Sequence, residues 1–314
     1  MKLCRFEKDG HPRCGLYEAH RVLPIDDFAA IAGQKYIADA VRGGELERLF
    51  PIDSPRWHAM QDLYQELKDN ASIASGLWLP RSSVNLLPPI ARPNKLLLLA
   101  GNYAEHVSEQ GDLVAERERT FPYVFLKPPS TTLVGDQANV AIPIQSPNKI
   151  DHEVELAVII GKSGRNIAAS QALNFVAGYT VINDISDRNF KPNPNRQERP
   201  RDKHFDWSHG KWHDGFCPCG PNLTTCDEIK DPQQLSLKLW VDNDLRQDGT
   251  TADQIFSVAD VIEFISSWMT LEPGDIISTG TPSGVGNATG KFLKAGQKVE
   301  AEIAGIGRLT NYMC

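Results

Sequence analysis

The amino-acid sequence predicts an α+β protein built on a folded-over mixed β-sheet. Two observations support this prediction. Short apolar strands alternate with turn residues along most of the 314-residue chain, and the connections between them are long. Helical spacing is clear in few places, of which residues 257–269 are the best example. Many strands with few helices are typical of this fold class.

Residues 1–90 have the pattern of a small N-terminal domain. Strand-like segments around CRFEKDG and CGLYEAHRVLPI are separated by turn residues, and SPRWHAMQDLYQELKDNA has helical character. The segment LLPPIARPNK, rich in Pro and Asn, then precedes the apolar strand LLLLAG. We therefore expect a domain boundary near residue 90 and a larger domain over residues 91–314.

The larger domain contains one clear helix and one unusual connection. In SVADVIEFISSWMTL, an apolar face recurs at helical spacing, and Ser257 with Asp260 has the spacing of an N-terminal cap. Residues 189–210, by contrast, are rich in Pro, Asn and charged residues and show no periodicity. A connection of that length is uncommon in a compact domain and is typical of functional or mobile segments.

Charge and hydropathy disfavour several classes of partner. The formal net charge is −7 and no long basic run occurs, which disfavours nucleic acid. The longest apolar run, KLLLLAG, is far shorter than the roughly 20 residues that span a bilayer. The first residues lack the apolar segment of an export signal, so we expect a cytoplasmic protein without a membrane partner. Its six cysteines are then expected to be reduced thiols.

The segment SHGKWHDGFCPCG allows two explanations. His209, His213, Cys217 and Cys219 could form a zinc site, or the cysteines could be free thiols on either side of Pro218. A Cys-x-Cys pair is unusual beside the longer spacers of most structural zinc sites. We therefore favour free thiols.

The segment DHEVELAVII, residues 151–160, is an apolar strand that carries acidic residues. Because side chains alternate along a strand, Glu153 and Glu155 point to the same face. Two carboxylates in such a strand repel each other and lose hydration unless they are compensated. A hard divalent cation such as Mg²⁺, Mn²⁺ or Ca²⁺ would compensate them, whereas an edge strand would leave them solvated. The spacing alone does not decide between these explanations.

Six stretches in the expected order resemble the fumarylacetoacetate hydrolase family over nearly the whole chain. They are GNYAEHVSEQ (101–110), FLKPPSTTLVG (125–135), DHEVELAVIIGK (151–162), AGYTVINDISDRN (177–189), GKWHDGFCPCGP (210–221) and LEPGDIISTGTPSGVG (271–286). The resemblance implies a catalytic domain of the mixed β-roll type with a small N-terminal domain, usually a homodimer that binds Mg²⁺ or Mn²⁺. In the family pattern the metal ligands are Glu153, Glu155 and Asp184. Asp151 and Asp187 are nearby alternatives, and Asp151 could instead support the ligands from outside the metal shell.

The resemblance also implies a catalytic dyad on a lid. His106 and Glu109 are three residues apart, which places them side by side on a helix. Glu109 would fix the imidazole tautomer and raise its basicity, so that His106 could deprotonate a water molecule. Without the surrounding motif, an exposed helical turn with incidental polar neighbours would be the favoured explanation of the pair.

The remaining pocket residues are also implied by the resemblance. Lys211, as a catalytic cation, and Lys127, as a substrate-binding one, would neutralise a substrate carboxylate or a developing enolate. Thr281, in STGTPSGVG, would hold the substrate carboxylate with its hydroxyl and neighbouring amides, and Tyr123 is a weaker pocket candidate. The chain departs from the family pattern at Ala100, where a glycine is expected, and in the length of segment 189–210.

The resemblance implies hydrolysis of a C–C bond in a 2,4-dioxo acid, such as an acylpyruvate or fumarylacetoacetate, by way of a metal-bound enolate. Decarboxylation of oxaloacetate or a related β-keto acid would use the same enolate, as would isomerisation or dehydration of a 2-oxo acid. The sequence does not separate these reactions. A catalytically silent binding protein is a further alternative, which the complete set of polar residues disfavours. The expected partners are a small oxo acid and a second copy of the chain.

Overall fold

The computed structural model describes residues 1–109, 111, 114 and 117–314. The strands of this part of the chain are β1 (Lys2–Lys8), β2 (His11–Glu18), β3 (Arg21–Pro24), β4 (Leu79–Pro80), β5 (Asn85–Leu87), β6 (Leu96–Ala100), β7 (Tyr123–Leu126), β8 (Leu133–Val134), β9 (Asn139–Val140), β10 (Ile150–Asp151), β11 (Val154–Ile160), β12 (Val176–Asn183), β13 (Ser186–Asp187), β14 (Cys217–Thr225), β15 (Ser236–Val241), β16 (Asp244–Thr250), β17 (Ile276–Ser278), β18 (Lys298–Ile303) and β19 (Gly307–Met313). The α-helices are α1 (Ile25–Ile31), α2 (Lys35–Val41), α3 (Pro55–Asp69), α4 (Ala104–Glu109), α5 (Pro129–Thr132), α6 (Ala169–Ala172), α7 (Asp202–His209), α8 (Val258–Trp268) and α9 (Gly286–Thr289).

The strands form three sheets, which confirms the predicted α+β class. The large sheet has the order β4-β3-β2-β1-β14-β12-β11-β17-β6-β7, with β5 beside β1 and β8 beside β14. A second sheet has the order β16-β15-β18-β19-β9, and β10 pairs with β13. Most neighbours are antiparallel, but β17 and β6 are parallel, so the large sheet is mixed.

The large sheet runs across the predicted boundary near residue 90. Strand β1 pairs with β14, with Lys2 opposite Thr224. One apolar cluster also joins Leu63 of α3 to Ile159 of β11 and Ile182 of β12. The N-terminal segment therefore shares sheet and core with the rest of the protein, and the division at residue 90 stays a prediction.

Strand β11 lies in the interior of the large sheet, between β12 and β17. Its side chains alternate between two apolar clusters, with Leu156 and Val158 in one and Ala157 and Ile159 in the other. The predicted alternation is confirmed. The alternative of an edge strand with solvated glutamates is wrong, because β11 pairs with a strand on each side and both glutamates are buried.

Two helices illustrate where sequence periodicity succeeds and where it fails. Helix α8 begins after Ser257, whose side chain and that of Asp260 form the predicted reciprocal cap. Helix α7 lies inside the segment 189–210, for which the sequence shows no periodicity. Arg196, which precedes the helix, forms an ion pair with Asp206 on it.

Other predictions concern cysteines and membranes. All six cysteines are free, and Cys217 and Cys219 are buried in β14. Within the described residues, the group of side chains that could hold a metal ion consists of Glu153, Glu155 and Asp184. It includes neither Cys217 nor Cys219, so the zinc alternative has no support. No helix in the described ranges is long and apolar enough to cross a bilayer. Ala100 pairs with Tyr123 in a regular antiparallel register, so no glycine is needed there.

Candidate metal centre and active site

Three carboxylates, referred to below as the acidic group, meet where β11 begins and β12 ends. One carboxylate oxygen each from Glu153, Glu155 and Asp184 lies within 4.8 Å of the others. The three residues are 5%, 1% and 1% exposed. Asp184 directly follows β12, and its backbone N–H donates to the carbonyl oxygen of Glu153 at 2.8 Å, which holds the two strand ends together. Buried carboxylate oxygens at this spacing fit a hard divalent cation.

The electrostatics of the cluster also fit a cation. Burial raises the pKa of Glu155 well above its ordinary value, and the charges of Asp184 and Glu153 raise it further. Burial also acts to raise the pKa of Glu153, but Lys211 and Arg188 outweigh it, and that pKa is lowered. Without a cation, Glu155 therefore lies next to negative charge that the neighbouring cations do not fully balance.

Lys211 and Lys127 have different positions around Asp184. The Lys211 ammonium donates to Oε2 of Glu153 at 2.8 Å and to Oδ2 of Asp184 at 2.5 Å, and Lys211 lines the central cavity. The Lys127 ammonium donates to Oδ1 of Asp184 at 2.5 Å and to the carbonyl oxygens of Ile185 and Phe216 at 3.0 and 2.5 Å. These bonds occupy all three N–H groups of Lys127.

The two lysines therefore differ in their access to the cavity. Lys127 is absent from the residues that line the cavity, so its position gives no support to a substrate-binding role. Its ammonium is engaged because two backbone carbonyls and Asp184 surround it. Lys211, by contrast, lines the cavity. It follows α7, and β14 begins only at Cys217.

Arg188 is a site residue that the sequence interpretation missed. It donates to Oε1 of Glu153 and, from Nε, to Oδ2 of Asp151 at 2.9 Å, and it lines the cavity. Asp151 additionally accepts hydrogen bonds from the backbone N–H groups of Gly286 and Asn287. Asp151 thus contacts the acidic group through Arg188 rather than joining it. The available sequence signal was a basic residue shortly after the strand-end aspartates in INDISDRN.

Asp187, the other alternative ligand, also lies outside the acidic group. Its Oδ1 accepts hydrogen bonds from Ser146 Oγ at 2.7 Å and from the N–H of Asn189 at 2.9 Å. Its Oδ2 lies 3.4 Å from Nε2 of His213. Asp187 therefore holds the start of segment 189–210 through Ser146 and Asn189, and it lies close to His213, which follows the segment.

His106 and Glu109 lie side by side on α4, as the spacing predicts. Nδ1 of His106 lies 2.8 Å from Oε1 of Glu109, and His106 is buried at the cavity. A carboxylate accepts only, so this contact assigns the proton to Nδ1 and makes Nε2 the basic nitrogen of the neutral ring. The other Glu109 oxygen accepts the backbone N–H of Gly284 at 2.9 Å, which fixes the carboxylate.

The STGTPSGVG turn serves the protein's own carboxylates. Gly280, at φ +88°, donates its N–H to Glu155 at 2.9 Å, and Gly284, at φ +101°, donates to Glu109. The Thr281 hydroxyl donates to the carbonyl oxygen of Val154 at 2.9 Å and accepts from Nε2 of Gln247 at 2.8 Å. Thr281 lines the cavity, but its hydroxyl proton is already used, contrary to the predicted contact with the substrate carboxylate. The sequence interpretation also missed Gln247.

A cavity of about 740 Å³ brings most of the predicted residues together. Its polar lining includes His106, Glu153, Glu155, Lys211 and Thr281. Tyr123, the weaker candidate, lines it too, although its side chain lies on β7 and is 69% exposed. The cavity lies within the size range of small-molecule sites. Its remaining lining is largely apolar.

Comparisons with known proteins find relatives over most of the chain. Residues 95–313 match the family model described as "Fumarylacetoacetate (FAA) hydrolase C-terminal". An uncharacterized protein of Pyrococcus abyssi is 44% identical over 218 residues, which cover 69% of this chain and 89% of the relative. The mitochondrial oxaloacetate tautomerase FAHD2A of Homo sapiens is 40% identical over 235 residues, which cover 74% and 70% of the two chains.

Two solved structures show the same fold over the full length. A fumarylacetoacetate hydrolase from Exiguobacterium antarcticum is 30% identical, with a TM-score of 0.74 and coverage of 100% of this chain and 99% of that one. A maleylpyruvate hydrolase from Sphingobium sp. SYK-6, in complex with manganese(II) ion and pyruvate, is 28% identical, with a TM-score of 0.72 and coverage of 100% and 98%.

Proposed function

Since the chain belongs to the fumarylacetoacetate hydrolase family, we propose that it is a divalent-metal-dependent enzyme that hydrolyses a carbon–carbon bond in a 2,4-dioxo acid. One observation carries the proposal. Two of the three clustered carboxylates and the imidazole of the His106–Glu109 dyad line the same cavity. A cation site and a positioned base are the two components that this hydrolysis requires.

The proposed metal ligands are Glu153, Glu155 and Asp184, which would hold Mg²⁺ or Mn²⁺, with Ca²⁺ as a further possibility for an all-oxygen site. When bound, such an ion supplies a Lewis acid for the carboxylate and keto oxygens of a 2-oxo acid and for enolate charge. The neighbouring maleylpyruvate hydrolase complex with manganese and pyruvate supports this assignment.

The chain's own residues would supply the proton transfers. His106 would take a proton from water at Nε2 while Glu109 holds the opposite nitrogen. Lys211 donates two hydrogen bonds to Glu153 and Asp184, so within the described residues a third N–H is left for a substrate oxygen. Arg188 and Lys211 together would keep Glu153 ionised, as its lowered pKa indicates.

Tautomerisation of oxaloacetate is the second candidate, because oxaloacetate tautomerases of Homo sapiens and Rattus norvegicus are 40% and 38% identical to this chain. That reaction moves a proton between carbon and the keto oxygen and needs no attacking water. The same dyad could carry the proton. Decarboxylation of oxaloacetate stays an alternative at this site, since it also passes through an enolate.

A turnover assay with Mg²⁺ or Mn²⁺ on acetylpyruvate, fumarylacetoacetate and oxaloacetate tests the proposal. We expect pyruvate from acetylpyruvate, a loss of roughly 10²–10⁴ in kcat in His106→Ala, and no loss in His58→Ala, an exposed histidine on α3. Keto–enol conversion of oxaloacetate without cleavage of any diketo acid would replace the hydrolase by the tautomerase. Carbon dioxide release that His106→Ala leaves intact would indicate a decarboxylase, and full turnover after removal of divalent metal would contradict the metal-dependent mechanism.

We also propose that the protein is a homodimer. Strand β7 lies at an edge of the large sheet, where Tyr123 and Leu126 are exposed. Exposed apolar edge strands favour pairing with another chain. Sedimentation equilibrium should give twice the chain mass, and a single-chain mass at micromolar concentration would contradict the proposal. The cytoplasmic location and the lack of nucleic-acid or membrane partners stay predictions.

A further inference from the structure

One side of the cavity is aromatic. Phe125 of β7, Trp207 of α7 and Phe256 line it, and Phe121 and Tyr123 lie at its more exposed part. The rings of Phe125 and Trp207 meet edge to face, with their centroids 4.9 Å apart and their planes at 67°. We refer to Phe125 and Trp207 as the aromatic pair. Such a pair offers a planar group both a face and an edge to pack against.

The aromatic pair lies directly beside the acidic group. The Lys211 ammonium, which bonds to Glu153 and Asp184, lies 5.3 Å from the centroid of Phe125 and 5.9 Å from that of Trp207. These distances allow cation–π attraction. A substrate whose oxo-acid end reaches the carboxylates would therefore place its remote group near the aromatic pair.

The charges along the cavity do not favour a second carboxylate in the remote group. Within the described residues, three cations line the cavity, and Arg188 and Lys211 are bonded to the site carboxylates. The third, Arg119, lies on the exposed surface. A remote carboxylate near the aromatic pair would lose hydration, and Lys211, the cation beside the pair, is already shared by Glu153 and Asp184. The volume of about 740 Å³ also exceeds what an acetyl group needs.

On the basis of the proposed function, we propose that the preferred substrates are 2,4-dioxo acids with a neutral aromatic acyl group, and that Trp207 determines this preference. Trp207 lies on α7, inside the segment 189–210 that the sequence analysis singled out. The segment thus contributes a wall of the cavity. Trp207 would act by contact with the remote group, apart from the bond that breaks.

Steady-state kinetics with Mg²⁺ test this inference by comparing benzoylpyruvate with acetylpyruvate. We expect the wild type to show a kcat/KM at least ~10-fold higher for benzoylpyruvate. Trp207→Ala should lower the ratio of the two kcat/KM values about 10-fold, and Trp207→Phe should keep most of it because a ring remains. Phe205→Ala is the matched control, since Phe205 lies on the same helix, is 48% exposed and is absent from the cavity lining.

Calorimetric binding of phenylpyruvate and pyruvate to the Mn²⁺-loaded protein separates the two levels of the proposal. Neither compound is a 2,4-dioxo acid, so neither contains the carbon–carbon bond that the proposed hydrolysis cleaves. Their binding is therefore measured independently of hydrolysis. If no acylpyruvate turns over but phenylpyruvate binds more tightly than pyruvate, and Trp207→Ala removes that difference, the hydrolase function fails and the aromatic preference stands.

Equal or better use of acetylpyruvate would overturn the preference. A ratio that Trp207→Ala leaves unchanged would overturn the role of Trp207, and a preference for fumarylacetoacetate that disappears in Arg119→Ala would show that the remote group is charged.

Discussion

The ammonium group of Lys127 lies 2.5 Å from Oδ1 of Asp184, and both side chains are buried. The two carbonyl oxygens that also accept from Lys127 complete its hydrogen bonding. Lys127 is therefore the buried counter-ion of a proposed metal ligand. Its contribution should appear in folding and in the position of Asp184 more than in contacts with the substrate.

Replacing Lys127 with methionine tests this assignment. Lys127→Met removes one of the two lysines that pair with Asp184, so the buried carboxylates lose compensating charge, and we expect the free energy of unfolding to fall by about 3 kcal/mol or more. Urea denaturation of the metal-free wild type and variant measures this change in the free energy of unfolding. Lys162→Met is the control, because Lys162 and Asp53 form a solvent-exposed pair whose loss should cost less than ~1 kcal/mol. Unchanged stability with a raised KM would instead restore the substrate-binding role for Lys127.

Metal binding should stabilise the folded protein through the proposed ligands. An ion at about 100 times its Kd stabilises a protein by ~2.7 kcal/mol, so Mn²⁺ should raise the Tm of the wild type measurably. Glu155→Gln should abolish most of this rise because it removes a carboxylate from the acidic group. Asp187→Asn should keep it, since Asp187 contacts Ser146 and His213 instead. The reverse pattern would show that the ligand set is assigned incorrectly.

In the absence of metal, the free energy of unfolding of the wild type should fall relative to that of Glu155→Gln as the pH rises. The ordinary pKa of the glutamate is 4.5, and burial beside Asp184 and Glu153 raises it well above that value in the folded state. Below pH 4.5 the carboxyl is protonated in both states. Above it, the unfolded chain ionises first, so the difference should grow by up to ~1.4 kcal/mol per pH unit until the folded carboxyl also ionises.

Urea denaturation in the presence of a chelator, from pH 4.5 to 8, measures this difference. Glu153, whose pKa is lowered, contributes with the opposite sign, but it is present in both proteins and cancels in the comparison to first order. Saturating Mn²⁺ should reverse the trend for the wild type. A difference that does not change with pH would mean that Glu155 is ionised without penalty.

Local periodicity predicts those parts of the site that one element can position. Glu153 directly precedes β11 and lies near Glu155, two residues further on, as alternation predicts, and the three-residue spacing on α4 brings His106 near Glu109. Asp184 follows from the end of the neighbouring strand, β12. In each case the relevant geometry is fixed within one strand pair or one helical turn.

Long-range partners explain what the sequence could not predict. The local sequence does not distinguish the roles of Lys127 and Lys211. The two differ because the Lys127 ammonium donates to the carbonyl oxygen of Phe216, 89 residues away. Arg188 and Gln247 likewise gain their roles from partners on other elements. Helix α7 contacts the rest of the protein through the Arg196–Asp206 ion pair and the packing of Trp207 on Phe125 rather than through an apolar stripe, so it leaves no periodic signal.

Gly284 connects the STGTPSGVG turn to the His106–Glu109 dyad, and its substitution should reduce catalysis. Its N–H holds Glu109, its φ is +101°, and an added Cβ would lie 2.2 Å from the carbonyl oxygen of Arg246. The backbone of Gly284→Ala must therefore shift, which disturbs the hydrogen bond from its N–H to Glu109. We expect kcat/KM to fall at least ~10-fold, since a displaced Glu109 no longer orients the base.

Gly290→Ala is the matched control for that experiment. Gly290 also has a positive φ, +74°, but nothing lies within 4 Å of an added Cβ, so only the ~1–2 kcal/mol strain of a left-handed alanine remains. It should lower Tm while kcat/KM is kept. If Gly284 acts through Glu109, Glu109→Gln should lower kcat/KM, and adding Gly284→Ala should cause little further loss. Fully additive losses would mean that the turn affects catalysis by another route, such as the bond from Gly280 to Glu155.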